Sequence, residues 1–210
     1  MAFMPGKSGY VFLTVGGLLM LTPWIYPKGF SVPDSLSDFL QKHGSWINAG
    51  LAIIAGLAMY NFPITHDYYG DSYKVLGQLG DTITQIPKGT NDAFFTYGLS
   101  PWDGHKTILS IVTYIAYFAG ITYREAFIWM DAVCGGLFVW IWLSFIRFYF
   151  DQPVWRIIMA LAGVTAPFML IYFGHIESYA PIFLVFLGWM ILLVVYAEKQ
   201  DKRLLWGLLG

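Results

Sequence analysis

Nine consecutive residues, His66-Asp67-Tyr68-Tyr69-Gly70-Asp71-Ser72-Tyr73-Lys74, hold two carboxylates, an imidazole, an ammonium and three tyrosines. They directly follow an apolar stretch. A second polar cluster, Gly174-His175-Ile176-Glu177-Ser178-Tyr179, separates two later apolar stretches. A carboxylate of ordinary pKa, near ~4, is ionised at neutral pH and can take a proton from a bound hydroxyl or orient it. Asp71 is the first candidate for that role, and Asp67 the second. Lys74, His105, Lys106 and Arg124 carry the positive charge or N–H groups that neutralise a phosphate leaving group. His175, Glu177, Tyr179 and Tyr73 are candidates to bind a substrate. Asp67, Asp71 and Glu177 offer oxygen ligands that suit Mg²⁺ or Mn²⁺. No spacing among them requires a metal, so none is assigned and no cofactor is required. The chain has no Walker loop, no Gly-x-Gly-x-x-Gly, no His-Glu-x-x-His and no cysteine pair.

The elements that must position these groups are apolar. The chain is 57% hydrophobic and 12% charged, against the roughly 25% charge of a soluble domain. Several runs approach the ~20 residues that a bilayer requires. The composition therefore predicts an all-α fold: a polytopic transmembrane helix bundle, with 1–210 as a single transmembrane domain. A net charge of −1 leaves no large basic surface for nucleic acid. Cys134 stands alone in an apolar run, which excludes a disulfide framework. Lys7 precedes an apolar run, but Thr22-Pro23-Trp24 follows where a cleaved leader would need small residues, so the run reads as a span. Tryptophans and tyrosines at the ends of apolar runs match an interfacial belt.

The expected spans are 10–26, 46–64, 126–146, 154–173 and 179–197, with an incomplete helix from 204. The connection 27–45 is polar. An outer loop covers 65–106. Within it Leu76, Leu79, Ile83 and Ile86 recur at helical spacing, which predicts an amphipathic helix over 72–86 lying on the membrane. Asp71 would cap its start; the plainer alternative is that Asp71 does nothing else. The apolar core of 107–122 is about 14 residues, or ~21 Å as a helix, against a hydrocarbon thickness of ~30 Å. It reads as a juxtamembrane segment that does not span. Arg147, Arg156, Lys199, Lys202 and Arg203 mark cytoplasmic edges. Both polar clusters then fall on the extracytoplasmic side, provided 107–122 does not cross. Pro181 disfavours helix at Ala180. Asp131 lies inside a span, where an acid faces the bundle or an aqueous cleft rather than lipid.

Two motifs carry a family resemblance: Tyr69-Gly70-Asp71-Ser72-Tyr73 after a span, and Tyr172-Phe173-Gly174-His175-Ile176-Glu177-Ser178-Tyr179 ending a later one. From about residue 60 to 200 the chain resembles bacterial polytopic membrane proteins of the GT-C glycosyltransferase superfamily. More distantly, its plan is similar to protein O-mannosyltransferases and aminoarabinose transferases. The resemblance implies a polyprenyl-phosphate-linked sugar donor and a glycan, lipid or protein acceptor reached from outside the cytoplasm. It implies a bacterial inner-membrane location among membrane lipids. It also implies a catalytic aspartate in the first large outer loop, here Asp71, and juxtamembrane helices after it. The family has one span before the acidic loop, where this chain shows two. It also continues for several more helices, so residues 1–210 would correspond to an N-terminal portion. The alternative class is a non-catalytic membrane transporter or lipid-headgroup-binding protein, in which the same polar residues bind without reacting.

Overall fold

The structure, a computed structural model, describes residues 34–63, 75, 86–89, 104–174, 176 and 178–200. Among them the regular structure is entirely helical. The helices are α1 (Asp34–Asn61), α2 (Gly104–Ala119), α3 (Tyr123–Tyr149), α4 (Pro153–Val164), a 3₁₀ helix (Pro167–Tyr172) and α5 (Tyr179–Lys199). Two of them, α3 and α5, are long and apolar enough to cross a membrane. The expected segments 10–26 and 204–210 lie outside the described residues, as does most of the outer loop.

Three local features differ from the sequence reading, each for a local reason. The expected polar connection 27–45 is helical from Asp34 onward, and α1 runs 28 residues. Its first half is polar and exposed at Asp38, Gln41 and Lys42, so it carries no apolar signal, yet no proline interrupts it. The expected span 154–173 is broken. α4 ends after 12 residues at Val164, because Pro167 has no N–H to donate and its ring crowds the carbonyl four residues back. The Thr165 amide still donates to Leu161 O at 2.9 Å, and the chain then tightens into the 3₁₀ helix. At α5, Ala180 is helical despite Pro181. Pro181 stands in the first turn, where its missing N–H would have had no intrahelical acceptor.

Of the four apolar residues expected to anchor 72–86, only Ile86 is described, and it is exposed. Val75, inside the same segment, is helical and buried.

The chain divides into two compact units. The first comprises Met1–Ala55, Gly136–Leu170 and Phe186–Gly210. Here Arg147, near the end of α3, reaches α1 through Nη1 to Ser45 Oγ (2.6 Å) and Nη2 to Gln41 O (2.7 Å). Gly44 leaves room for the guanidinium: a Cβ there would come within 3.0 Å of it. Arg156 Nε donates to Phe150 O at 2.6 Å and ties the start of α4 to the end of α3. Lys199 Nζ lies 5.1 Å from the Phe148 ring centroid, a cation–π contact. Three basic side chains thus gather at one end of this unit. Trp142 Nε1 donates to Met159 O at 3.1 Å and lies against Gly163, where a Cβ would meet the indole Cε2 at 2.5 Å. Gly163→Ala is therefore expected to displace the indole and destabilise the protein by ~1–3 kcal/mol, the usual effect of overpacking. A lowered thermal midpoint in detergent checks this; an unchanged midpoint would mean that the indole does not fill this gap.

The second unit comprises Gly56–Gly135 and Ile171–Val185. The end of α1 packs on the first half of α3. Tyr60 and Trp129 ring centroids are 5.0 Å apart, and Met59 lies against Gly135. Gly174, buried and at φ +73°, is closed in by Ile128 and Pro63. The chain therefore leaves α1 and enters α3 at the same end of this unit. α2, 16 residues and ~24 Å long, lies between those two points in sequence.

Candidate functional site

Three of the predicted site residues are described: His105, Arg124 and Tyr179. All three stand in the first turn of a helix, in α2, α3 and α5 respectively. His105 is half-buried, Arg124 half-buried and Tyr179 exposed. Asp67, Asp71, Tyr73, Lys74, His175 and Glu177 lie outside the described residues.

The contact that joins the two polar stretches is made by His105. Its Nδ1 lies 2.5 Å from Ser178 Oγ, across 73 positions of sequence. The direction of this hydrogen bond follows the histidine tautomer. Ser178 is buried, and so are Ile176 and Gly174 in the same turn. Ile176 anchors the turn by its apolar side chain, and Gly174 lets it approach α3. At Gly174 a Cβ would meet Ile128 Cγ1 at 2.8 Å and Pro63 Cβ at 3.2 Å. His105 thus closes the far end of the acidic loop onto the turn of the second motif. Pro63, next to the start of that loop, meets the same turn at Gly174. Sequence inspection picked out His105 but passed over Ser178, because a lone serine beside Glu177 carries no distinctive signal.

Arg124 and Glu125 are positioned by a reciprocal cap at the start of α3. Thr122 N and Oγ1 each donate to Glu125 Oε2 at 2.8 Å, and Glu125 N donates to Thr122 Oγ1 at 3.2 Å. This capping box satisfies helix-end amides that have no partner in the helix. Glu125 precedes the apolar run at 126–146. The backbone and hydroxyl bonds from Thr122 hold its carboxyl below the usual range. A carboxyl lowered in this way contributes stability that is complete above its unfolded pKa and is lost as pH falls through the folded value. Thr122→Val is expected to cost ~0.5–2 kcal/mol at neutral pH. The difference from the native protein should shrink below about pH 4, as Glu125 protonates in both. Melting curves at pH 7 and pH 3.5 check this, and a difference that does not vary with pH would remove Glu125 from the cap.

A cavity of about 560 Å³ opens between α2 and α3, lined by Ile115, Ala119, Ile121, Trp129, Val133 and Cys134 among others. None of the three described site residues, His105, Arg124 and Tyr179, is among the residues that line it. Its walls offer apolar contact and no charge, so it suits hydrocarbon and has nothing to pair with a phosphate. Among the described residues, no group of three or more histidine, cysteine, aspartate or glutamate side chains could hold a metal ion. No family model matches the chain, and no curated protein or solved structure is significantly similar to it.

Proposed function

We propose that this protein is an integral membrane glycosyltransferase of GT-C type, moving a sugar from a polyprenyl-phosphate-linked donor to an acceptor on the extracytoplasmic side. The observation that carries the reading is the His105–Ser178 contact. It supports a single site built from both polar stretches, one holding Asp67 and Asp71, the other His175 and Glu177. In this reading Asp71 activates the acceptor hydroxyl, with Asp67 as the substitute. Lys74, His105 and Arg124 neutralise the departing lipid phosphate. His175, Glu177, Tyr73 and Tyr179 hold the sugar. Mg²⁺ or Mn²⁺ could join at the carboxylates, and no step depends on it.

The membrane reading rests on surface. Only 11% of the apolar window of α5 is buried within the protein, and Val185 and Phe186 stand exposed on it. A helix that apolar and that uncovered needs lipid or other protein around it. The gathering of Arg147, Arg156 and Lys199 at one end of the first unit supports a cytoplasmic end there.

The test is release of polyprenyl phosphate from a polyprenyl-phosphate-linked sugar by the full-length protein in proteoliposomes. Acceptor-dependent release is the expected result. Saturable binding of the donor with no release would move the protein to the second class, a transporter or headgroup-binding protein.

A further inference from the structure

Asp131 has no part in the transfer reading. Its side chain is fully buried, and among the described residues neither carboxylate oxygen meets a hydrogen-bond donor. Its surroundings follow from packing within the second unit. Ile128, Asp131 and Gly135 recur at spacings that place them on one face of α3. The two residues flanking Asp131 on that face are both covered. Gly174 and Pro63 close over the position at Ile128, while Tyr172 and Met59 close over Gly135. At Gly135 a Cβ would meet Tyr172 Cβ at 2.7 Å, so the tyrosine rests directly on the helix. Asp131 therefore sits between these contacts, beneath the end of α1 on one side and the 3₁₀ turn on the other.

Among the described residues, the segments that these contacts place over it bring no positive charge. Segments 56–63, 127–135 and 171–174 contain no lysine, arginine or histidine. The titratable groups among them, besides Asp131, are Tyr60, Cys134 and Tyr172. The last two lie within electrostatic reach of the Asp131 carboxylate. An ionised carboxylate enclosed by apolar side chains is costly unless a positive charge joins it. Acids kept inside membrane helices commonly carry such a charge as part of their work.

We propose that Asp131 is the anion of a buried site for a small monovalent cation, a proton or a sodium ion, enclosed by α1, α3 and the 3₁₀ turn. The chemistry of the walls selects that class. One carboxylate among a thioether, a phenol, a thiol and hydrocarbon supplies a single negative charge, which balances a monovalent cation but would leave Mg²⁺ or Ca²⁺ with an uncompensated charge in apolar surroundings. The site is independent of sugar transfer: it uses none of the residues assigned there.

The experiment is modification of the full-length protein in vesicles by dicyclohexylcarbodiimide, which adds to protonated carboxyl groups in apolar surroundings. The tryptic peptide 125–147 reports the adduct, and fragmentation separates Asp131 from Glu125. Asp131→Asn should remove the adduct, and serves only to assign it. Slowing by sodium at constant pH and ionic strength, with potassium as control, identifies sodium as the occupant. A rate that varies with pH and ignores sodium identifies the proton. Two results would overturn the site. One is a folded protein that resists modification at every pH but reacts once unfolded in dodecyl sulfate, the behaviour of a carboxyl that no exchangeable cation reaches. The other is modification insensitive to both pH and sodium. No arm reads glycan transfer, so failure here leaves the transfer reading standing.

Discussion

Asp71→Asn is expected to leave donor binding near the wild-type level and to lower transfer by about 10²–10⁴-fold, the usual worth of a positioned general base. The reasoning is chemical. The amide keeps the size and hydrogen-bonding reach of the carboxylate but cannot accept the acceptor's proton. The loss should therefore fall on kcat and on kcat/KM alike, as for an interaction made only in the transition state. Asp67→Asn should cost less, because Asp67 is the substitute in this scheme. Transfer at the wild-type rate in Asp71→Asn would remove the base from this position. Equal, large losses in both variants would point instead to two carboxylates acting together, as in a shared metal or hydrogen-bond network.

Gly174→Ala is expected to destabilise the second unit by ~1–2 kcal/mol for its left-handed backbone and by a further ~1–3 kcal/mol for overpacking. The position combines both difficulties: φ is +73°, and a Cβ would meet Ile128 and Pro63. Neither neighbour is the free end of a flexible chain. Ile128 is fixed on α3, and Pro63 is a ring at the end of α1. Because Gly174 opens the turn that carries His175, Glu177 and Ser178, its displacement should also loosen the His105–Ser178 contact and reduce transfer. Gly188→Ala in α5 is the control. Nothing lies within 4 Å of a Cβ there, so alanine should be neutral or stabilise by up to ~1 kcal/mol through its helix preference. Equal midpoints for the two variants would show that the turn is not packed as described.

The helical character of the chain was legible because hydropathy and helix length coincide in α3 and α5. Each is an apolar run with charged residues or proline at its edges. Elsewhere the two properties separate. In α1 the helix continues through a polar half that no apolar window detects, so Asp34–Ser45 read as a connection. In α4 the apolar run continues past the end of the helix, and Pro167 alone marks the break. The contacts that shape the second unit were less legible still. Gly135 and Gly174 are small residues whose importance lies in what approaches them. The His105–Ser178 pair is separated by 73 positions, and no periodicity links the two. Asp131 stood out as a charge in an apolar run, but its lack of donors among the described residues is a property of packing, not of spacing.

The central claim is that the acidic loop and the second motif share the extracytoplasmic face. Single cysteines at Lys88 and Tyr179, both exposed, in a Cys134→Ser background test it most directly. Lys88→Cys and Tyr179→Cys are treated with a membrane-impermeant maleimide in right-side-out and inverted vesicles. The expected result is labelling of both positions in right-side-out vesicles and of neither in inverted ones. Labelling of the two positions from opposite faces would place the acidic loop and the second motif on different sides of the membrane, and no single site could then contain them.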